Sequence, residues 1–246
     1  MIGIVDWGIG GIGFLQELRK RRPRADILYF SDTGATPYGR LARAALGARL
    51  AAVVAALAAR GVTHLAVACN AASTVLPKVG WSMPTTGVIE HGSRFALATG
   101  ARSFGVVGGV RTIRSGAYRR ALAGPGRRIR QRVAQPLSAL IEAGDVGSPE
   151  LRGEVRRIVA PLRDVDALVL GCTHYPAIAP LFGELLKGVK LIDPAAAMAD
   201  WVDQRWPLAD GGSPPAFLTS GDPRAMRLAA RRAFGEELGR VERVVL

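Results

Sequence analysis

Two apolar runs in this chain each end in a cysteine, and the cysteines stand 103 residues apart. His64-Leu65-Ala66-Val67-Ala68 leads into Cys69-Asn70, and Ala167-Leu168-Val169-Leu170-Gly171 leads into Cys172-Thr173-His174-Tyr175-Pro176. The sequence holds no other cysteine. A short, wholly apolar run fits a strand buried on both faces, as in a parallel sheet covered by helices. The carboxyl end of such a strand is where open α/β sheets receive ligands. The layout also repeats: Phe104-Gly105-Val106-Val107-Gly108 matches Ile2-Gly3-Ile4-Val5-Asp6 in pattern at an offset of 102. The expected fold is therefore α/β, with two similar lobes of parallel sheet flanked by helices. A pseudo-twofold relates them, and the cleft between them holds both thiols.

Taken in order, strands are expected at 2–5, 26–30, 64–68 and 85–89, then at 104–108, 130–134, 167–170 and 190–192. Residues 8–13 form a glycine-rich turn. Helices are expected at 14–22, closed by Pro23, at 41–60, stopped by Gly61, and at 148–162. The tail, 216–246, has strand, turn and helix character and is expected to return to the first lobe. That gives one lobe of 1–92 plus 207–246, carrying Cys69, and a second of 93–206, carrying Cys172.

Nearly half the chain is hydrophobic, enough for a substantial core, yet no run reaches the length of a membrane span. The start, Met1-Ile2-Gly3-Ile4-Val5-Asp6, reads as a strand and not as a signal peptide, so a cytoplasmic location and reduced thiols are expected. The formal charge of +13 comes mostly from arginine, densest at Arg19-Lys20-Arg21-Arg22-Pro23-Arg24 and again from Arg111 to Arg132. These runs fall at helix ends and loops without interleaved aromatics. They read as solvated surface with a modest pull on anionic substrates, and no nucleic-acid partner is expected.

Gly8-Ile9-Gly10-Gly11-Ile12-Gly13 fits the dinucleotide pattern G-x-G-x-x-G, and Asp32 closes the next strand about where a ribose-binding acid would sit. Against that reading, Asp6 places a carboxylate beside the would-be pyrophosphate. A tight turn with close helix packing ranks first for these glycines, and substrate contact through backbone amides second. A free thiol has a pKa of about 8.5, so a working cysteine needs help to ionise. His174, Asp6 and Glu142 are the candidate helpers. His64 reads as a strand-start residue, and His91 is left unassigned. Two cysteines and three scattered histidines show no metal-ligand spacing, so no metal is expected.

Six motifs, in this order, then resemble one family: Asp6-Trp7-Gly8-Ile9-Gly10-Gly11, Ser31-Asp32-Thr33, Pro37-Tyr38-Gly39, Ala68-Cys69-Asn70, Gly87-Val88-Ile89-Glu90 and Gly171-Cys172-Thr173-His174-Tyr175-Pro176. Ser115-Gly116-Ala117-Tyr118 and Ser220-Gly221-Asp222-Pro223 join them. The chain resembles, over nearly its full length, the glutamate racemases of the cofactor-independent aspartate/glutamate racemase superfamily. The resemblance implies a two-base mechanism without cofactor. Cys69 would serve one face of the substrate Cα with help from Asp6. Cys172 would serve the other, with help from His174 and Glu142. It further implies substrate contacts at positions 7, 32, 37, 38, 39, 70, 71, 112 and 173, here Trp7, Asp32, Pro37, Tyr38, Gly39, Asn70, Ala71, Thr112 and Thr173. A small amino-acid substrate and a homodimer are expected.

The sequence also departs from that pattern. The family usually has serine where Trp7 stands, threonine at Ala71 and Gly109, and cysteine at Gln135. An indole fills space but accepts no hydrogen bond. The proton-transfer set is complete while the recognition set is altered. Three alternatives follow: a racemase or epimerase acting on another amino acid or small acid, a racemase-like protein that binds without catalysis, and a nucleotide-dependent oxidoreductase built on the glycine turn.

Overall fold

The computed structural model describes residues 1–76, 81–208 and 211–246. The chain opens with β1 (Ile2–Asp6), α1 (Ile12–Arg21), β2 (Ile27–Ser31), α2 (Arg43–Ala58), β3 (His64–Val67), the one-turn α3 (Asn70–Ser73), β4 (Thr85–Gly87) and α4 (Val88–Ala98). It continues through β5 (Ser103–Gly108), α5 (Val110–Ser115), α6 (Ala117–Leu122), β6 (Arg128–Val133), α7 (Gln135–Glu142), α8 (Pro149–Val159) and β7 (Ala167–Gly171). The last stretch is α9 (Ala179–Leu185), β8 (Lys190–Ile192), α10 (Pro194–Arg205), β9 (Ala216–Thr219), α11 (Pro223–Phe234) and β10 (Val241–Arg243).

The strands form two sheets, in the orders β10-β9-β2-β1-β3-β4 and β6-β5-β7-β8. Every pairing among the described residues is parallel. The series β2-β1-β3-β4 recurs as β6-β5-β7-β8, so the offset of about a hundred residues is a repeat of topology as well as of pattern. The tail joins the first sheet, where β9 pairs with β2. Strands β1, β2 and β7 are buried along their whole length, as parallel strands covered on both faces must be. The edge strand β6 carries Arg128, Arg130 and Arg132 and stays largely open, a charged edge that resists pairing with another chain.

One hydrophobic cluster runs through both sheets. It joins Ile4, Tyr29 and Ala66 of the first to Val107, Leu168 and Leu170 of the second, through helices that include α1, α7 and α10. The basic end of α1 is tied into that assembly. Arg19 pairs with Glu236, Arg21 with Glu17 and Asp200, and Arg22 with Asp203. These contacts account for the densest arginine run as surface pairing.

Two expectations need correction. The strand expected at 85–89 ends at Gly87, and Val88 opens α4. Residues Val88, Gly92 and Ala96 are buried one helical turn apart, and a Cβ at Gly92 would run into Pro194 of α10. The small residue therefore sets a close helix–helix approach. The boundary expected after residue 92 lies inside this helix. The helix expected over 148–162 is α8 plus a separate 3-10 turn, Ala160–Leu162, with Pro161 at the junction. His91 is buried, bonded to Thr86 Oγ1 and stacked on Trp201, while His64 stacks on Trp206. Both are packing residues. Among the described residues no helix is long and apolar enough to cross a membrane.

Helix α10 starts on Asp193, whose carboxylate accepts from Ala195 N at 2.8 Å with Pro194 at the first turn. Burial pushes the Asp193 carboxyl up from 3.8 to about 6. The unfolded chain therefore loses this proton first, and the contribution to stability falls as pH rises from 3.8 to about 6. Asp193→Asn keeps the cap acceptor and removes the titration. Its melting temperature relative to the unaltered chain should climb across that window and level off above it. A difference that does not vary with pH would contradict this account.

Candidate active site

In each sheet the strand order reverses once, between β1 and β3 and between β5 and β7. Such a switch point opens a crevice beyond the carboxyl ends of the strands. Asp6 ends β1 and Cys69 follows β3 at the first crevice. Gly109 follows β5 and Cys172 follows β7 at the second. The two crevices open into one cavity of about 460 Å³, whose wall includes Asp6, Cys69, Gly109, Cys172, Thr173 and His174. Both cysteines are free thiols.

On the Cys69 side, Asp6 is 1% exposed. Its Oδ1 accepts from Trp7 N at 2.7 Å and its Oδ2 from Thr173 Oγ1 at 2.8 Å. Burial raises the Asp6 pKa against the opposing pull of His174, Thr173, Cys69 and the Trp7 amide. Burial, and then the Asp6 charge, push the Cys69 thiol well above its ordinary range. Cys69 therefore favours its thiol form beside the buried Asp6 side chain.

On the other side, Cys172 Sγ lies 3.6 Å from His174 Nδ1, and His174 Nε2 lies 2.5 Å from Glu142 Oε2. Burial works against the imidazolium, but the hydrogen bonds and charges of Cys172 and Glu142 outweigh it and raise the His174 pKa well above 6.5. His174 therefore lies between a sulfur and a carboxylate that both favour its protonated form. Glu142 Oε2 also accepts from Ile9 N at 3.1 Å.

That last bond explains the glycine turn. A Cβ at Gly8 would fall on the Glu142 carboxylate, and one at Gly10 would collide with Thr173 and lie 2.9 Å from His174 Nδ1. The turn is bare so that the second sheet's functional side chains can seat on its backbone. The space that the dinucleotide reading reserves for a pyrophosphate is filled by these protein groups.

Of the other expected positions, Trp7, Pro37, Tyr38, Gly39, Asn70, Ala71 and Thr112 all line the cavity. Asn70 Oδ1 accepts from Tyr118 OH at 2.7 Å, which leaves its NH₂ donors for a ligand. Trp7 commits its indole N–H to Ala35 O at 3.0 Å, so its ring offers only an apolar face. Asp32 is a correction. It is fully buried outside the cavity wall, bound by Arg49 at 2.6 and 2.8 Å, by Tyr38 OH at 2.7 Å and by Ser220 Oγ at 2.7 Å. Its placement anchors the Tyr38 loop. Sequence reasoning did not single out Arg40, Arg111 or Ser138 as site residues, yet they also line the cavity. Position 111 follows β5 closely, as the glycine turn follows β1, and the repeat offset was the signal that could have found it. Among the described residues no group of three acidic, histidine or cysteine side chains could hold a metal ion.

A family model described as Asp/Glu/hydantoin racemase matches residues 18–202. A glutamate racemase of Thermus thermophilus is 36% identical over 256 residues, covering 100% of this chain and 96% of that one. The crystal structure of a glutamate racemase isoform from Bacillus anthracis superposes with a TM-score of 0.91 at 28% identity, covering 100% and 97% of the two chains. The glutamate racemase from Francisella tularensis, solved in complex with D-glutamate, has a TM-score of 0.88 at 26% identity, covering 99% and 97%.

Glu142 is the acceptor that helps hold His174 cationic. Glu142→Gln removes that charge while leaving an oxygen for Ile9 N. The His174 ring, followed by NMR, should then titrate at lower pH than in the unaltered chain. An unmoved titration would show that Glu142 does not set the charge of His174.

Proposed function

The chain belongs to the Asp/Glu/hydantoin racemase family, and from that premise we propose that it interconverts L- and D-glutamate by moving a proton at Cα between Cys69 and Cys172. The observation that carries the reading is that the two free thiols line one cavity from two different sheets. Each has its own ionisable neighbour, Asp6 for Cys69 and the His174–Glu142 pair for Cys172.

Inversion needs a base on one face of the carbon and an acid on the other. One thiolate takes the Cα proton, forming S–H as C–H breaks, and the electron pair stays on the substrate, spread into its carboxylate. The opposite thiol then delivers its proton to the other face and becomes the thiolate. The charge moves from sulfur to sulfur and the next turnover runs in reverse. Both proton carriers are side chains of the chain itself, so the proposal calls on no cofactor.

Asp6 and His174 are the local partners that take up and release charge as each sulfur changes state. Asn70, Thr112 and Thr173 are proposed to bind the reacting end of the substrate. Pro37, Tyr38 and Gly39 form the loop that covers it, with Asp32 holding Tyr38 in place. Fixed donors in a water-poor site support a developing carbanion better than water does. A neighbouring reading, a racemase for a different amino acid, is favoured by one observation. Trp7 and Ala71 give the wall an apolar stretch with no free donor.

Cα-deuterium wash-in across a panel of amino acids separates the two. Fastest exchange with glutamate supports the first, fastest exchange with another amino acid supports the second, and no exchange with any contradicts both. Cys69→Ser and Cys172→Ser should each lower racemisation by about 10²–10⁴-fold, the usual span for a lost general acid or base. Chiral chromatography of either product is the readout. Full two-way activity in either single variant would contradict the assignment.

A further inference from the structure

Arg111 is the cavity feature that the proton-transfer chemistry does not use. It sits in α5, half-buried, next to Thr112. Its Nε donates to Tyr38 O at 3.0 Å, in the loop that follows β2. Among the described residues no carboxylate pairs with it and no acceptor meets its terminal Nη groups, whereas Arg49, on the far side of Tyr38, is doubly bonded to Asp32. The two carboxylates of the cavity are already engaged, Asp6 by Trp7 N and Thr173, and Glu142 by His174 and Ile9 N. Burial, and then the nearby Arg43 charge, press the Arg111 pKa below its ordinary value, but a guanidinium stays charged at neutral pH.

We propose that Arg111 is a specificity-determining residue that receives the side-chain carboxylate of an acidic amino-acid substrate. The inference rests on the racemase reading above and assigns the residue that would read the side-chain end of the substrate. The argument is one of charge. A guanidinium partly withdrawn from water and without an anionic partner gains from a ligand carboxylate that takes up its free donors. A zwitterionic amino acid with a neutral side chain brings no net charge and leaves Arg111 uncompensated. An amino acid with a second carboxylate brings one net negative charge and fits the free fork of Nη donors. Arg40, also on the cavity wall, and Arg43 add positive potential that draws such an anion in. Gln135 reinforces the placement. Its Oε1 accepts from Val110 N at 3.2 Å and lies where a side chain at Gly109 would reach, which packs the start of α5 against α7.

The test follows Cα-deuterium exchange in the unaltered chain, Arg111→Gln and Arg111→Lys, with glutamate and with its neutral isostere glutamine. Where glutamine does not exchange, its inhibition constant against glutamate replaces the KM. In Arg111→Gln the KM for glutamate should rise by about 10- to 100-fold, as for a lost charge-assisted hydrogen bond, with kcat changing far less. The glutamine constant should stay put, and Arg111→Lys should recover part of the loss. If Arg111→Gln does not fold, Arg111→Lys carries the test, because it keeps the charge and loses the fork. An unchanged glutamate KM beside an active unaltered chain would overturn the Arg111 assignment and leave the racemase reading standing. Equal losses for glutamate and glutamine would also overturn it, since Arg111 would then serve the loop or the common end of the substrate. No exchange by the unaltered chain with any amino acid removes the racemase reading and this inference together.

Discussion

The hydrogen bond from Thr173 to Asp6, and the seating of the His174–Glu142 pair on the glycine turn, tie the carboxyl ends of the two sheets together. Everything else at the site depends on that joint. Each sheet alone offers a crevice with one cysteine. Joined through buried polar contacts, the two crevices become one open cavity with a sulfur from each. The joint is also what the glycines at positions 8 and 10 exist for, because a Cβ at either would hold the sheets apart. A buried polar joint of this kind is favourable only when all its members are satisfied. Here Asp6, Thr173, His174 and Glu142 each have a partner.

The electrostatics of the cavity are unequal across its two walls. Cys69 neighbours a buried acid, Asp6, and Cys172 neighbours a buried base, His174, whose pKa is raised. A reaction that moves a proton from one wall to the other moves negative charge the opposite way, and the two walls offer an acid and a base as neighbours. Above them the mouth is positive, with Arg40 and Arg111 on the wall and Arg43 near by. The protein therefore separates the tasks by position. In the proposed reaction the strand ends would handle the proton, and the start of α5 with the loop after β2 would handle the charge of the substrate.

Much of this was legible in the chain. The apolar runs at β3 and β7 and the shared offset predicted parallel sheets in repeat, because a strand buried on both faces carries a nearly unbroken apolar signal. Asp6 and His174 were legible as cavity residues because they sit within a few residues of a strand end, whereas Glu142 lies at the far end of α7. Less legible was α4. Its first residues, Val88 and Ile89, extend an apolar strand signal, and only the turn-spaced Gly92 and Ala96 reveal a helix. Asp32 misled for a different reason. A carboxylate at a strand end looks the same in sequence whether it meets a ligand or, as here, is engaged by Arg49 from a distant turn of α2. Arg111 lay hidden inside a basic run, since charge alone does not tell a surface arginine from one left unpaired in a cavity.

Whether two sulfurs act on opposite faces of one carbon is decided isotopically. A single enantiomer of glutamate is incubated in heavy water and sampled early, and the two enantiomers are separated and weighed for Cα-deuterium. The account predicts that the inverted product carries deuterium from its first appearance, while the recovered starting enantiomer still carries protium. Product that retains the original proton, or starting material that exchanges as fast as it inverts, would mean that one base serves both faces and would contradict the account.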